Sequence, residues 1–108
     1  MRNDDYATVI DALADPVRRE VVTLLSGGPC RAGELADAAG VSAPAMSRHL
    51  RLLLRAGIIR DERTADDARA RVFRLRPESL TAVRGWLDQL QAGWTEELAS
   101  FKRHVEER

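Results

Sequence analysis

The chain has 108 residues, 44% of them hydrophobic and 31% charged, with 17 basic and 17 acidic side chains. This is the make-up of one soluble globular domain spanning 1–108, with a small core and little chain to spare. It excludes a membrane partner, since no run of about 18 apolar residues exists, and the single cysteine, Cys30, excludes an internal disulfide.

The N-terminus, MRNDDYATVIDALADP, is acidic and has no apolar export signal, so a cytoplasmic location is expected. The zero net charge conceals an asymmetry. Residues 1–30 and 77–108 each carry a balance of −2, whereas residues 31–76 hold ten arginines against six acids, a balance of +4. A basic segment in a neutral chain points to a polyanion, although an ordinary solvated face has the same composition, so its position matters.

In chain order, Tyr6, Val9, Ile10 and Leu13 recur at helical spacing and predict a first helix over 3–13. Asp15-Pro16 then reads as an N-cap followed by proline in the first turn. The second helix turns Val17, Val21, Leu24 and Leu25 inward until Gly27-Gly28-Pro29 stops it. A third, short helix covers 31–39, with Leu35 and Ala39 inward. It is broken by Gly40, and Val41 plugs the gap beyond.

Ser42 caps the fourth helix and Pro44 sits in its first turn. At about 100° per residue, Met46, Leu50 and Leu53 share one face with Leu54 beside them. Arg48, Arg51 and Arg55 lie opposite, Ser47 and His49 fall on the flanks, and Gly57 supplies a left-handed stop. Leu52 points partly outward and has no place in this two-faced pattern.

Residues 58–76 read as a β-hairpin. Ile58 and Ile59 open one strand, RVFRLR alternates in the other with Phe73 and Leu75 on one face, and TADDA is the polar tip. After Pro77 a last helix over 78–106 is about 43 Å long. Its apolar stripe is Leu80, Val83, Leu87, Leu90, Trp94, Leu98, Phe101 and Val105, longer than so small a domain can cover. The simplest partner is a second copy of the chain.

The expected fold is therefore mainly α with a β-hairpin wing, a winged helix-turn-helix of order α-α-α-α-β-β-α. Residues 31–56 form the helix-turn-helix, 58–76 the wing and 78–106 a C-terminal dimerisation helix. The phrases ALADPVRREVVTLL, ELADAAGVSAPAMSRHLRLLLRAGIIR and RVFRLRP, in this order, resemble the ArsR-type winged-helix regulators of bacteria over about residues 10–77. The resemblance implies a dimeric regulator that represses by blocking a promoter, and it gives the Ser47-Arg48 positions contact with DNA.

The chemistry of the fourth helix leads to the same partner, double-stranded DNA. A recognition helix is held by one apolar face and aims polar side chains at base edges and phosphates. Ser42, Ala43, Ala45, Ser47 and Arg48, near its start, are the expected base readers. Arg51 and Arg55 are expected on phosphate, with His49 as a polar flank or phosphate contact. On the wing Arg69, Arg71 and Arg63 would meet the neighbouring backbone, opposed by Asp66 and Asp67 at the tip. The homodimer interface is expected at Tyr6, Leu80, Val83, Leu87, Leu90, Trp94, Leu98 and Phe101, so that the operator is an inverted repeat.

Metal-sensing members of the resembling family carry a cysteine pair before the third helix, but Arg31 and Gly33 stand there, with Cys30 one position away. On the last helix Gln91 and Gly93 replace an Asp-x-His pair, and only His104 and Glu107 match its second half. Half a site closes no tetrahedral shell, so neither metal nor cofactor is expected. Trp86 and Trp94 read first as interface anchors. The alternative is a pocket for an unknown small hydrophobic effector between the long helices. No phosphate loop, Cys/His cluster or Ser-His-Asp set can be assembled, which excludes an enzyme. A winged helix that binds protein instead would show an apolar or acidic outward face on its fourth helix. Here that face is basic.

Overall fold

The computed structural model describes residues 3–66 and 70–107, with side chains from Ala7 onward in the first helix. The elements run α1 (Asn3–Leu13), α2 (Pro16–Ser26), α3 (Ala32–Ala39), α4 (Ala43–Arg55), β1 (Ile59–Arg63), β2 (Arg71–Leu75) and α5 (Pro77–Glu106). This is the anticipated order, with boundaries shifted by a residue or two.

Local chemistry sets the helix ends. The Asp15 carboxylate accepts from the backbone N–H groups of Val17 at 2.8 Å and Arg18 at 3.2 Å, satisfying two donors at the start of α2. Desolvation pushes the pKa of this carboxyl up. The two amides, with His49 and the Arg18 charge, outweigh that and hold it below its ordinary value. The Ser42 hydroxyl accepts from the Ala45 N–H at 3.3 Å and opens α4.

Both α3 and α4 stop at a glycine in the left-handed region, Gly40 at φ 68° and Gly57 at φ 74°. In each the following residue closes the turn, Val41 N–H donating to the Ala36 carbonyl and Ile58 N–H to the Leu53 carbonyl. Ile58 and Leu53 are both fully buried, so the apolar contact that accompanies such a turn is made here inside the core.

The core lies where α2, α3, α4 and the hairpin converge. Val21, Leu35, Met46, Leu53, Ile58 and Ile59 are essentially sealed from solvent, joined by Leu25, Leu50 and Phe73 and, from α1, by Val9 and Ala12. Each of these side chains larger than alanine contributes about 1.5–3 kcal/mol by leaving water. Ile10 of α1 is exposed, and Ala36 takes the buried place on α3 beside Leu35, with Ala39, anticipated inward, half-buried.

The strands pair antiparallel in the register Ile59 with Leu75, Asp61 with Phe73 and Arg63 with Arg71. Cys30 adds a short third rung. Its N–H donates to the Phe73 carbonyl at 3.2 Å and its carbonyl accepts from the Phe73 N–H at 2.8 Å, so the approach to α3 is tied to the wing.

Helix α5 departs from this body. Its first turns pack on the core through Leu80 and Val83, both half-buried, and α1 lies against it. These two residues, anticipated in a dimer interface, thus cover their own chain's core first. From Leu87 to Glu107 every residue is exposed, and the chain is 71 Å long but only about 25 Å across.

Candidate nucleic-acid interface

With Met46, Leu50 and Leu53 buried, the α-helical period turns Ser47, Arg48, Arg51 and Arg55 outward, and all four are exposed. Ser42 and Ala43 are also exposed, and Ala45 is half-buried. Among the described residues Arg48, Arg51 and Arg55 enter no ion pair. Like charges three and four residues apart destabilise a helix by a few tenths of a kcal/mol per pair. The charges of this ridge therefore add nothing to folding, and it runs along the outward face from the middle of α4 to Arg55 in its last turn.

The wing behaves differently. Arg71 donates from Nε and Nη2 to Asp61 Oδ2 at 3.0 and 2.6 Å, and its guanidinium lies 5.2 Å from the Phe73 ring centre. Arg74 pairs with Glu62, whose carboxyl this hydrogen bond holds below its usual range, and Arg76 pairs with Glu78 at 3.1 Å. Three arginines of the hairpin are thus paired with carboxylates, whereas the three on α4 enter no ion pair among the described residues. Arg71, anticipated as a contact to the DNA backbone, is paired across the hairpin with Asp61 of β1. It still lines a cleft of about 250 Å3 with Ala32, Ser47, Leu50, Arg51, Leu54 and Phe73, between the start of α3, the reading face of α4 and the wing. Arg69 and Asp67 lie outside the described residues.

His49, read as a polar flank or phosphate contact, meets α2. Its ring is mostly buried, at 19% exposure, and its Nδ1 lies 3.2 Å from Arg18 Nη1 and 4.0 Å from Asp15 Oδ1. It faces α2, about 100° around the helix from the outward Arg48. Arg18 itself was missed. Its place three residues after the cap in Asp15-Pro16-Val17-Arg18 was the only local signal, and nothing in the sequence tied it to a residue 31 positions away. Leu52 has a place too. It lines a second cleft, of about 290 Å3, with Thr8, Asp11, Ala12, Arg18, Arg55 and Ala56.

Of the anticipated interface residues, Leu87, Leu90, Trp94, Leu98 and Phe101 form an uncovered stripe, Trp94 at 62% and Phe101 at 66% exposure, and Val105 extends it. The Tyr6 side chain lies outside the described residues. Among the described residues no three His, Cys, Asp or Glu side chains come together as a metal shell. The Cys30 thiol is raised in pKa by burial and by the nearby Glu34. No helix among the described residues is long and apolar enough to cross a membrane.

Two short helices, the second with an open arginine ridge, flanked by a hairpin, define a winged helix-turn-helix protein. A helix-turn-helix domain family matches residues 13–62. The HTH-type transcriptional regulator Rv2034 of Mycobacterium tuberculosis is 38% identical over 95 residues, covering 88% of this chain and 83% of that protein. The transcriptional repressor SdpR of Bacillus subtilis is 42% identical over 55 residues, covering 51% of this chain and 61% of its own. A solved ArsR family transcriptional regulator superposes with a TM-score of 0.78 at 33% identity, covering 88% of this chain and 95% of its own. The chain belongs to the ArsR family of helix-turn-helix transcriptional regulators, a family of regulators and not of enzymes.

Proposed function

We propose that the protein is a homodimeric repressor that binds an inverted-repeat operator in duplex DNA. The observation that carries this reading is the ridge of Arg48, Arg51 and Arg55, exposed and without acidic partners among the described residues. Arg48, near the start of α4, bonds a guanine edge bidentately. Arg51 and Arg55 hold phosphates, with Ser47 and the wing cleft receiving the strand alongside. The uncovered α5 stripe supports pairing with a second copy, and two-fold symmetry sets the two α4 helices about 34–36 Å apart, one turn of B-DNA. The name of the relative SdpR supports repression over activation.

In vitro selection of duplexes from a random library, followed by gel-shift titration, tests this. The enriched sequence should be an inverted repeat. Arg48→Ala should cost on the order of 1–3 kcal/mol and relax the preference at one position of each half-site. Arg55→Ala should weaken all sequences alike and lower the salt slope by about one. Wild-type behaviour from both variants would show that the ridge is not the reading face.

A further inference from the structure

The guanidinium of Arg18 joins three helices. From α2 it donates through Nε to the Ala12 carbonyl at 2.6 Å and through Nη2 to the Asp11 carbonyl at 3.3 Å, two acceptors in the last turn of α1. Its third arm, Nη1, meets His49 Nδ1 on α4 at 3.2 Å. A guanidinium only donates, so in this hydrogen bond the ring nitrogen is the acceptor. Arg19 beside it donates to the Leu13 and Ala14 carbonyls at 3.0 Å, so the whole end of α1 is anchored on α2.

We infer that Arg18 and His49 are positioning residues for operator reading: they fix the rotation of α4 about its own axis relative to α1, and through α1 relative to α5. The inference rests on the DNA-binding reading above. Met46, Leu50 and Leu53 hold α4 against the core, but apolar contact is non-directional and allows a helix to roll. A hydrogen bond is directional, and this one sits on the residue next to Arg48. Bidentate contact with a base edge needs its donors within about 0.5 Å and 10–20°. Contact with phosphate is largely Coulombic and tolerates such a roll. Losing the tie therefore costs discrimination between sequences, not attraction to DNA.

The test uses the full chain, a duplex enriched by the wild type from a random library, and unrelated duplex as competitor. His49→Leu and Arg18→Met should each weaken the enriched duplex on the order of tenfold, while binding to unrelated duplex and the sedimentation of the free protein stay at wild-type values. His49→Asn, whose Oδ1 can accept near the Nδ1 position, should restore most of the discrimination. The double variant Arg18→Met/His49→Leu should lose no more than Arg18→Met alone, because the bond from Arg18 to His49 is already gone in that variant. If His49→Leu does not fold, Arg18→Lys carries the test, since one ammonium cannot replace the three arms of the guanidinium. Undiminished discrimination in the folded variants, additive losses, or equal losses on both duplexes would overturn the inference. A wild-type protein that enriches no duplex would overturn the DNA-binding reading itself, and this one with it.

Discussion

Replacing Leu90 by glutamate puts a carboxylate in the middle of the α5 stripe, once per chain and so twice per dimer. Leu90 is 52% exposed in the isolated chain. About half of the roughly 2 kcal/mol that burying a leucine provides is therefore still to be gained from a partner, about 1 kcal/mol per chain and 2 kcal/mol per dimer. The glutamate forfeits this and adds the cost of taking an unpaired charge out of water, several kcal/mol even after relaxation. A total of about 5 kcal/mol or more raises the dimer dissociation constant at least about a thousandfold. The chain's own fold should survive, because nothing from Leu87 onward is buried against it. Sedimentation at micromolar concentration should then show a wild-type dimer and a Leu90→Glu monomer of unchanged helicity, with operator binding lost although every α4 side chain is intact. A variant that still sediments as a dimer, or a wild type that is monomeric, would refute the assignment of the stripe to self-pairing.

Three further outcomes follow from the described contacts. Leu53→Ala empties a sealed position where α4 meets Ile58, and urea unfolding should show a loss of about 2–5 kcal/mol. Asp15→Asn keeps a capping oxygen but removes the charge. Because the native Asp15 pKa is depressed, its charge-dependent stabilisation is complete above the ordinary value of 3.8 and disappears as pH falls through the lower folded value. The variant's stability should therefore fall less steeply than wild type on acidification below about pH 4, and equal slopes would disprove the contribution. Treatment with a chelator, or addition of zinc, should leave operator affinity unchanged in gel shifts, given Arg31, Gly33, Gln91 and Gly93 where ligands would be needed. DNA release by a stoichiometric metal would contradict that.

Much of the fold was legible because its signals are local. Asp15-Pro16, Ser42, Gly40 and Gly57 act on backbone groups within a few residues, and the 3.6-residue period of Met46, Leu50 and Leu53 says which face of α4 is held inside. The outward arginines follow from the same period, as does the excess length of the α5 stripe. Other features depended on residues distant in the chain. The tie from Arg18 to His49, the capture of Arg71 by Asp61 ten positions away, and the first turns of α5 covering their own core through Leu80 and Val83 all arise from chain reversal. A side chain's type and helical phase say where it points from its own element. Which partner it meets there is decided by how the elements pack, and that set His49, read as a polar flank or phosphate contact, against Arg18 of α2.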